Sequence, residues 1–422
     1  MRWLGGHVER GFEPIAREIE RQLRKTGGGA AVCAYHEGRC VLDLWGGARD
    51  AAGAAWERDT MAVSYSTTKG VVATALHVLA DRGLLDYDAP VARYWPEFAQ
   101  AGKASITVRA LLSHRAGLFN VRAMIDDAKR LLDWEHMVEA LAAARPEPLP
   151  EQASAYHALT FGHLVGELVR RVSGRSLQAF IADEIAGPLG LDGLYIGAPE
   201  RELHRAASLV RAGKARGEAA QGSAQRRAGQ RRRAVFSVVE RVLRAAGHPF
   251  RVERVEGALA PRGIGQLDFS SPSFLRACVP SANGLFTARS LARLYAALAG
   301  GGALEGVRLM SPQTVARATE IQVRGFDEVI IFRMRWRLGY HRIGTLRGVP
   351  RRAFGHFGWG GSGAWADPTR NLSFAYVVNA GTGTPIGDLR ILRLNTLLLD
   401  CVRTRRAGAK AARPRSRWPQ IW

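Results

Sequence analysis

Lysine is scarce in this sequence, with six residues in 422 among a combined 60 lysines and arginines. Almost all positive charge is therefore arginine, and each lysine is a rare event. Cysteine is scarcer still, and Cys33, Cys40, Cys278 and Cys401 are too few and too scattered for a disulfide framework. Free buried thiols are the expectation, with Cys40 facing Tyr35 and Cys33 facing Leu42 across a hairpin. No apolar run approaches the ~18 residues of a membrane span. The opening MRWLGGHVERGFEPIAREIERQL also lacks an apolar stretch of signal-peptide length. Together these absences predict a soluble, cytoplasmic protein. His-Glu-x-x-His and cysteine–histidine clusters are missing, and the spacing of His157 and His163 fits no ligand pattern. Neither metal nor cofactor is expected.

Acidic residues are outnumbered 38 to 60, a formal net charge of +22 that raises nucleic acid or an anionic membrane as partners. Where the charge sits decides against that. Residues 211–233 carry eight basic residues against Glu218, and the chain from Cys401 onward carries seven, within 403–417, against no acid. Both stretches are poor in large apolar residues and read as solvated segments, the first a flexible insertion. The rest of the chain is only mildly basic.

Apolar residues make up 47% and aromatic residues 8%, a globular composition. Phe12, Ile15, Ile19 and Leu23 fall at helical spacing ahead of Gly27-Gly28-Gly29. AAVCAYHEGRCVLDLWGG then reads as two strands around a turn at Glu37-Gly38. From Thr67 to about Asp81 the apolar spacing is helical again, and helical patterns dominate through VRALLSHRAGL, WEHMVEALAAA, LTFGHLVGELVRRVSG and SANGLFTARSLARLYAALAGGG. Strands return at EVIIFRMRW, GGSGAWADP and LSFAYVVN, and ILRLNTLLLDCVRT forms a last helix. The implied organisation is one α/β (α+β) catalytic domain over 10–405. Its α/β part covers about 10–90 and 325–405, its mainly helical part about 91–324, and a basic tail follows at 406–422.

Ser66-Thr67-Thr68-Lys69 places a serine and a lysine one helical turn apart on one face. A serine hydroxyl needs a nearby proton acceptor to act as a nucleophile, and a lysine serves if burial keeps it neutral. The helix N-terminus adds partial positive charge for a developing oxyanion. Chance alone supplies roughly 0.3 such pairs in this composition, so the four residues read equally as a capping serine and a solvated lysine.

Wider context decides between these readings. SYSTTKGVVATALHVLADRGLLDYDAPVARYWPEF, ITVRALLSHRAGL, Tyr156 in SAYHALTFGHLVGELVRRVSG and FGHFGWGGSGAWADP follow one another. Their order resembles that of the class C serine β-lactamases, the penicillin-binding proteins and the related family VIII carboxylesterases. The resemblance spans about residues 10–405. It implies an antiparallel sheet flanked by the first and last helices, an inserted helical subdomain and an active site in the cleft between them. It further implies Ser66 as nucleophile, Lys69 and Tyr156 as the proton-transfer pair with either as base, and His356 as the neighbour that tunes Tyr156. The backbone N–H groups of Ser66 and Trp359 would form the oxyanion hole. Cationic Lys69 would favour the phenolate of Tyr156.

Departures from the β-lactamase pattern carry information about substrate. Tyr156-His157-Ala158 has no amide at 158 where the lactamases have Tyr-x-Asn. His356-Phe357-Gly358 stands where they have Lys-Thr-Gly, so the lysine and hydroxyl that bind a carboxylate are missing. The expectation is a carboxylesterase acting on small, short-chain neutral esters through an acyl-Ser66 intermediate. The alternatives are a β-lactamase, a D-amino peptidase or transesterase of the same fold, and, in another class, a non-catalytic member binding nucleic acid or an acidic partner through its basic arms. Gly358-Trp359-Gly360-Gly361-Ser362-Gly363 matches a dinucleotide fingerprint but precedes a strand-like segment rather than a helix. The nucleophile elbow G-x-S-x-G is absent, since Ser362 fails at Ala364. His114 reads as a hydrogen-bonded structural histidine.

Overall fold

The computed structural model describes residues 4–211, 240–381 and 388–411. Most of the basic insertion at 211–233 and the tail beyond Ala411 lie outside the described residues.

Seven antiparallel strands form the main sheet. In chain order they are β1 (Leu4–Val8), β2 (Gly29–His36), β3 (Arg39–Gly47), β4 (His341–Arg342), β5 (Phe354–Phe357), β6 (Gly363–Asp367) and β7 (Leu372–Val378), arranged β1-β3-β2-β7-β6-β5-β4. The sheet thus starts ahead of residue 10. Helices α1 (Glu13–Thr26) and α5 (Leu389–Ala411) cover one face, and α4 (Ala288–Ala299) the other. Period-two alternation explains why both faces are dry. Ala30, Val32 and Ala34 of β2 join Phe374 and Tyr376 of β7 beneath Ile15, Ile19, Ile391 and Leu394. Their neighbours Ala31, Cys33, Tyr35, Ala375 and Val377 belong to the core on the opposite face, with Leu291 and Tyr295 of α4.

The hairpin turn falls at Glu37 (φ 54°) and Gly38 (φ 77°), the left-handed pair that a two-residue turn requires. A bulge between Ala34 and Tyr35 corrects the expected register by one residue: Tyr35 faces Cys40, but Cys33 faces Asp43 rather than Leu42. All four cysteines are free, and Cys40 is only half-buried.

Helix α2 (Thr68–Asp81) is buried on every side from Thr68 to Leu79, the signature of a central helix rather than a surface one. It packs against α3 (Phe161–Ser173) and β5. The segment read as helical also contributes strands. Leu194–Ile196 and Gly284–Phe286 join Met61–Val63 and Ala206–Ala207 in a separate four-stranded sheet.

One expected strand is absent. EVIIFRMRW, Glu328–Trp336, is irregular because the N–H groups of Val329 and Ile330 donate to the Asp327 carboxylate, both at 2.9 Å, instead of to a ladder. Helix α5 runs past residue 405 to Ala411, and Arg403 and Arg405 at its exposed side pair with Asp400 and Glu9. Among the described residues no helix is long and apolar enough to cross a membrane.

Candidate active site

Ser66 sits in a 3-10 turn, Tyr65–Thr67, between the strand Met61–Val63 and α2. Two features hold this turn. Ser64 N–H donates to Gly284 O at 2.8 Å, anchoring the chain to the small sheet. Tyr65 then adopts φ 45°, a left-handed conformation unfavourable for a side chain of that size. The chain turns sharply there, and Ser66 is left partly exposed above the buried helix.

Lys69, one turn into the same helical run, is fully buried and brings Nζ to 2.9 Å from Ser66 Oγ and 2.9 Å from Ser281 O. Burial holds its pKa well below the ordinary lysine value. Among the described residues no carboxylate pairs with it, so the neutral amine is favoured. Tyr156 is 1% exposed and its hydroxyl donates to Ser66 Oγ at 2.8 Å. Burial pushes its phenol upward, a push that the Ser66 hydrogen bond opposes and the Asp327 charge reinforces. The expected phenolate is therefore corrected. Desolvation is the largest influence on both groups and shifts each toward its neutral form.

His356 lies on β5 opposite Ala364 of β6, on the sheet face toward α2, with its ring centre 6.3 Å from that of Tyr156. Its Nδ1 contacts Phe357 O at 3.0 Å, and Nε2 has no hydrogen-bond partner among the described residues. Burial, then the nearby His341 and Lys69, holds its pKa well below the usual imidazole range. It is thus a neutral ring where the lactamase pattern has a lysine. Phe357 points the other way, into the core beneath α1 and α5 with Ile343 and Ile391, and does not line the site. Ala158 is 2% exposed and packs with Tyr156, Phe119 and Trp336.

Gly358 brings the end of β5 against the serine turn. A Cβ there would lie 2.2 Å from Ser64 O and 3.2 Å from Ser66 N. Only glycine allows that approach, which sets the backbone at 358–359 beside the N–H of Ser66. The indole of Trp359 is half-exposed.

Sequence reasoning missed the support behind Tyr156. Trp336 stacks on it, with ring centres 5.3 Å apart, and His114 packs 4.2 Å from Trp336 and 5.1 Å from Tyr156. Buried Asp327 accepts from Tyr156 N–H at 3.1 Å, Trp336 Nε1–H at 2.9 Å and Ser154 Oγ–H at 2.8 Å. The only signal available was a lone acid beside an apolar run, and that run reads as a strand.

A serine oxygen touched by a neutral amine and a neutral phenol can lose its proton to one and receive a proton from the other, the requirement for acyl transfer through serine. Comparison with known proteins shows which family the chain resembles. The family described as Beta-lactamase matches residues 16–396. Esterase/beta-lactamase LipL of Mycobacterium tuberculosis is 39% identical over 355 residues, covering 83% of this chain and 77% of that protein. The crystal structure of a family VIII carboxylesterase superposes with a TM-score of 0.81 at 36% identity, covering 94% of this chain and 99% of the other. A penicillin-binding protein homologue from Caulobacter crescentus superposes with a TM-score of 0.80, also at 36% identity and with the same coverage.

Proposed function

This chain belongs to the beta-lactamase family and is a serine hydrolase, and we propose that it is a carboxylesterase that cleaves small neutral esters through an acyl-Ser66 intermediate. The observation that carries the assignment of Ser66 is the shared contact of its Oγ with Lys69 Nζ and the Tyr156 hydroxyl.

Because Tyr156 donates to Ser66 Oγ, the serine's own proton is free to point at neutral Lys69. Lys69 takes that proton as Oγ attacks the ester carbonyl. The developing oxyanion is received by the N–H groups of Ser66 and Trp359. On collapse the C–O bond to the alcohol breaks, and Tyr156 gives its proton to the departing oxygen. Lys69 then reprotonates the phenolate. In deacylation water attacks the acyl-serine, its proton goes to the Lys69–Tyr156 pair, and Ser66 leaves with a proton returned.

Three features favour a neutral ester over a β-lactam. Ala158 offers no side-chain amide, His356 is held neutral rather than cationic, and Phe357 offers no hydroxyl and faces the core. A substrate carboxylate would find no charged partner among them. His356 acts in this scheme as an uncharged wall beside Tyr156. LipL carries both esterase and beta-lactamase in its name, so the decisive comparison is between substrates. Purified protein is assayed with a short-chain aryl ester and with a chromogenic cephalosporin. Ester turnover with little cephalosporin cleavage is the expected result; the reverse would make the protein a β-lactamase.

A further inference from the structure

Arg337 follows Trp336 directly, but the two side chains go to different places. The indole stacks on Tyr156, whereas Arg337 is among the residues lining a separate cleft of about 680 Å³ beside the helix Pro312–Ala318. Arg337 is 2% exposed. Its Nε donates to Thr319 O at 2.8 Å and its Nη2 to Arg351 O at 3.2 Å, both neutral carbonyls. Nη1 is buried with no hydrogen-bond partner among the described residues.

A buried cation is ordinarily paired with a carboxylate, because desolvation without a counter-charge is costly. Here the charged neighbours have the wrong sign. Burial pulls the pKa of Arg337 down to about 10, and the positive charges of Arg335 and Arg352 pull it further in the same direction. Exposed Arg324, Arg351 and Arg352 line the same cleft, with Glu320 as the acid among its lining residues. Among the described residues, none of these four arginines forms an ion pair. Four guanidiniums around one carboxylate leave an excess of about three positive charges in one concavity.

From this we infer that the cleft is an anion site for a phosphate group, free or carried on a small organic molecule, with Arg337 at its floor and Arg324, Arg351 and Arg352 at its rim. Guanidinium forks match the oxygens of a phosphate in a bidentate manner. A dianion suits an excess of several positive charges better than a single carboxylate does. The volume leaves room for more than the phosphate itself. None of these residues touches Ser66, so the site is distinct from the hydrolytic one.

The test is thermal unfolding of the full chain in inorganic phosphate and, separately, in glycerol phosphate, each against chloride at matched ionic strength. Wild type is expected to show a saturable rise in Tm. Arg337→Met removes the buried donor and should abolish the rise. Arg352→Glu, at an exposed position that folding tolerates, should weaken apparent affinity by about tenfold or more. Tighter binding of glycerol phosphate would identify an organic phosphate as the ligand, and tighter binding of inorganic phosphate the free ion. The inference is overturned by the absence of a saturable rise in wild type, or by an equal rise in wild type and Arg352→Glu.

Discussion

The ring planes of Trp336 and Tyr156 lie 10° from parallel with their centres 5.3 Å apart, and a single buried carboxylate, Asp327, holds both residues. One Asp327 oxygen accepts from the N–H groups of Tyr156, Val329 and Ile330, and the other from Trp336 and Ser154. Asp327 does not reach Ser66; it fixes the residue that does. Asp327→Asn keeps an oxygen that accepts from the three N–H groups but turns an amide NH2 toward two donors. It should cost about 1–3 kcal/mol of stability in urea unfolding and lower kcat more than it changes KM. Unchanged kcat in the folded variant would show that the Tyr156 support is not set by this carboxylate.

Proton transfer through a buried amine has a directional pH signature. Burial lowers the Lys69 pKa, so ester hydrolysis should rise with pH through that lowered value and fall on acidification as the amine is protonated. Lys69→Arg keeps a donor but stays cationic at every working pH. It should lose about 10²–10⁴-fold in kcat along with the acidic limb of the profile. Tyr156→Phe should lose a similar factor while retaining that limb, because Lys69 is intact.

Acid stability follows from the histidines. His77, His157, His163 and His341 are fully buried, and burial holds each down to about 4. The unfolded chain therefore binds more protons than the native one between about pH 6.5 and 4. Stability is fully present above that window and declines as pH falls through it, by up to about 1.4 kcal/mol per pH unit for each group. Denaturant midpoints measured from pH 7 to pH 4 should drop steeply. A flat profile would mean that these rings take up protons in the native state.

Gly358 joins β5 to the serine turn at backbone distance. In Gly358→Ala the new methyl would meet Ser64 O at 2.2 Å, and no flexible side chain is there to yield. The strand end must move away from Ser66. A shift of that order should reduce kcat/KM by about 10²-fold, with a stability loss of about 1–3 kcal/mol in the same protein.

Much of this was readable from local pattern. Periodicity placed α1, which buries a regular stripe, while α2 and the β2–β3 hairpin were legible as apolar segments bounded by turn residues although α2 is buried on every side. Ser66 and Lys69 were visible as a spacing on one helical run, and Tyr156 as a residue in order. What escaped was set by distant contacts. Glu328–Trp336 has strand-like composition but surrenders its N–H groups to Asp327, and the strand Gly284–Phe286 exists because Met61–Val63 pairs with it across more than two hundred residues. The direction of Phe357 depended on the register of β5, which one-residue motif matching does not fix. The ionisation of Tyr156 depended on burial, which no motif carries.

The measurement that bears most directly on the account is capture of the acyl group. Wild type and Ser66→Ala are mixed with a short-chain aryl ester, quenched in acid and digested, and the peptide containing residue 66 is weighed. The account predicts a burst of released phenol and one acyl mass on Ser66 in wild type. In Ser66→Ala it predicts no adduct and a rate reduced by on the order of 10⁴-fold or more. Equal ester turnover in the two proteins, or an acyl mass on any other residue, would contradict it.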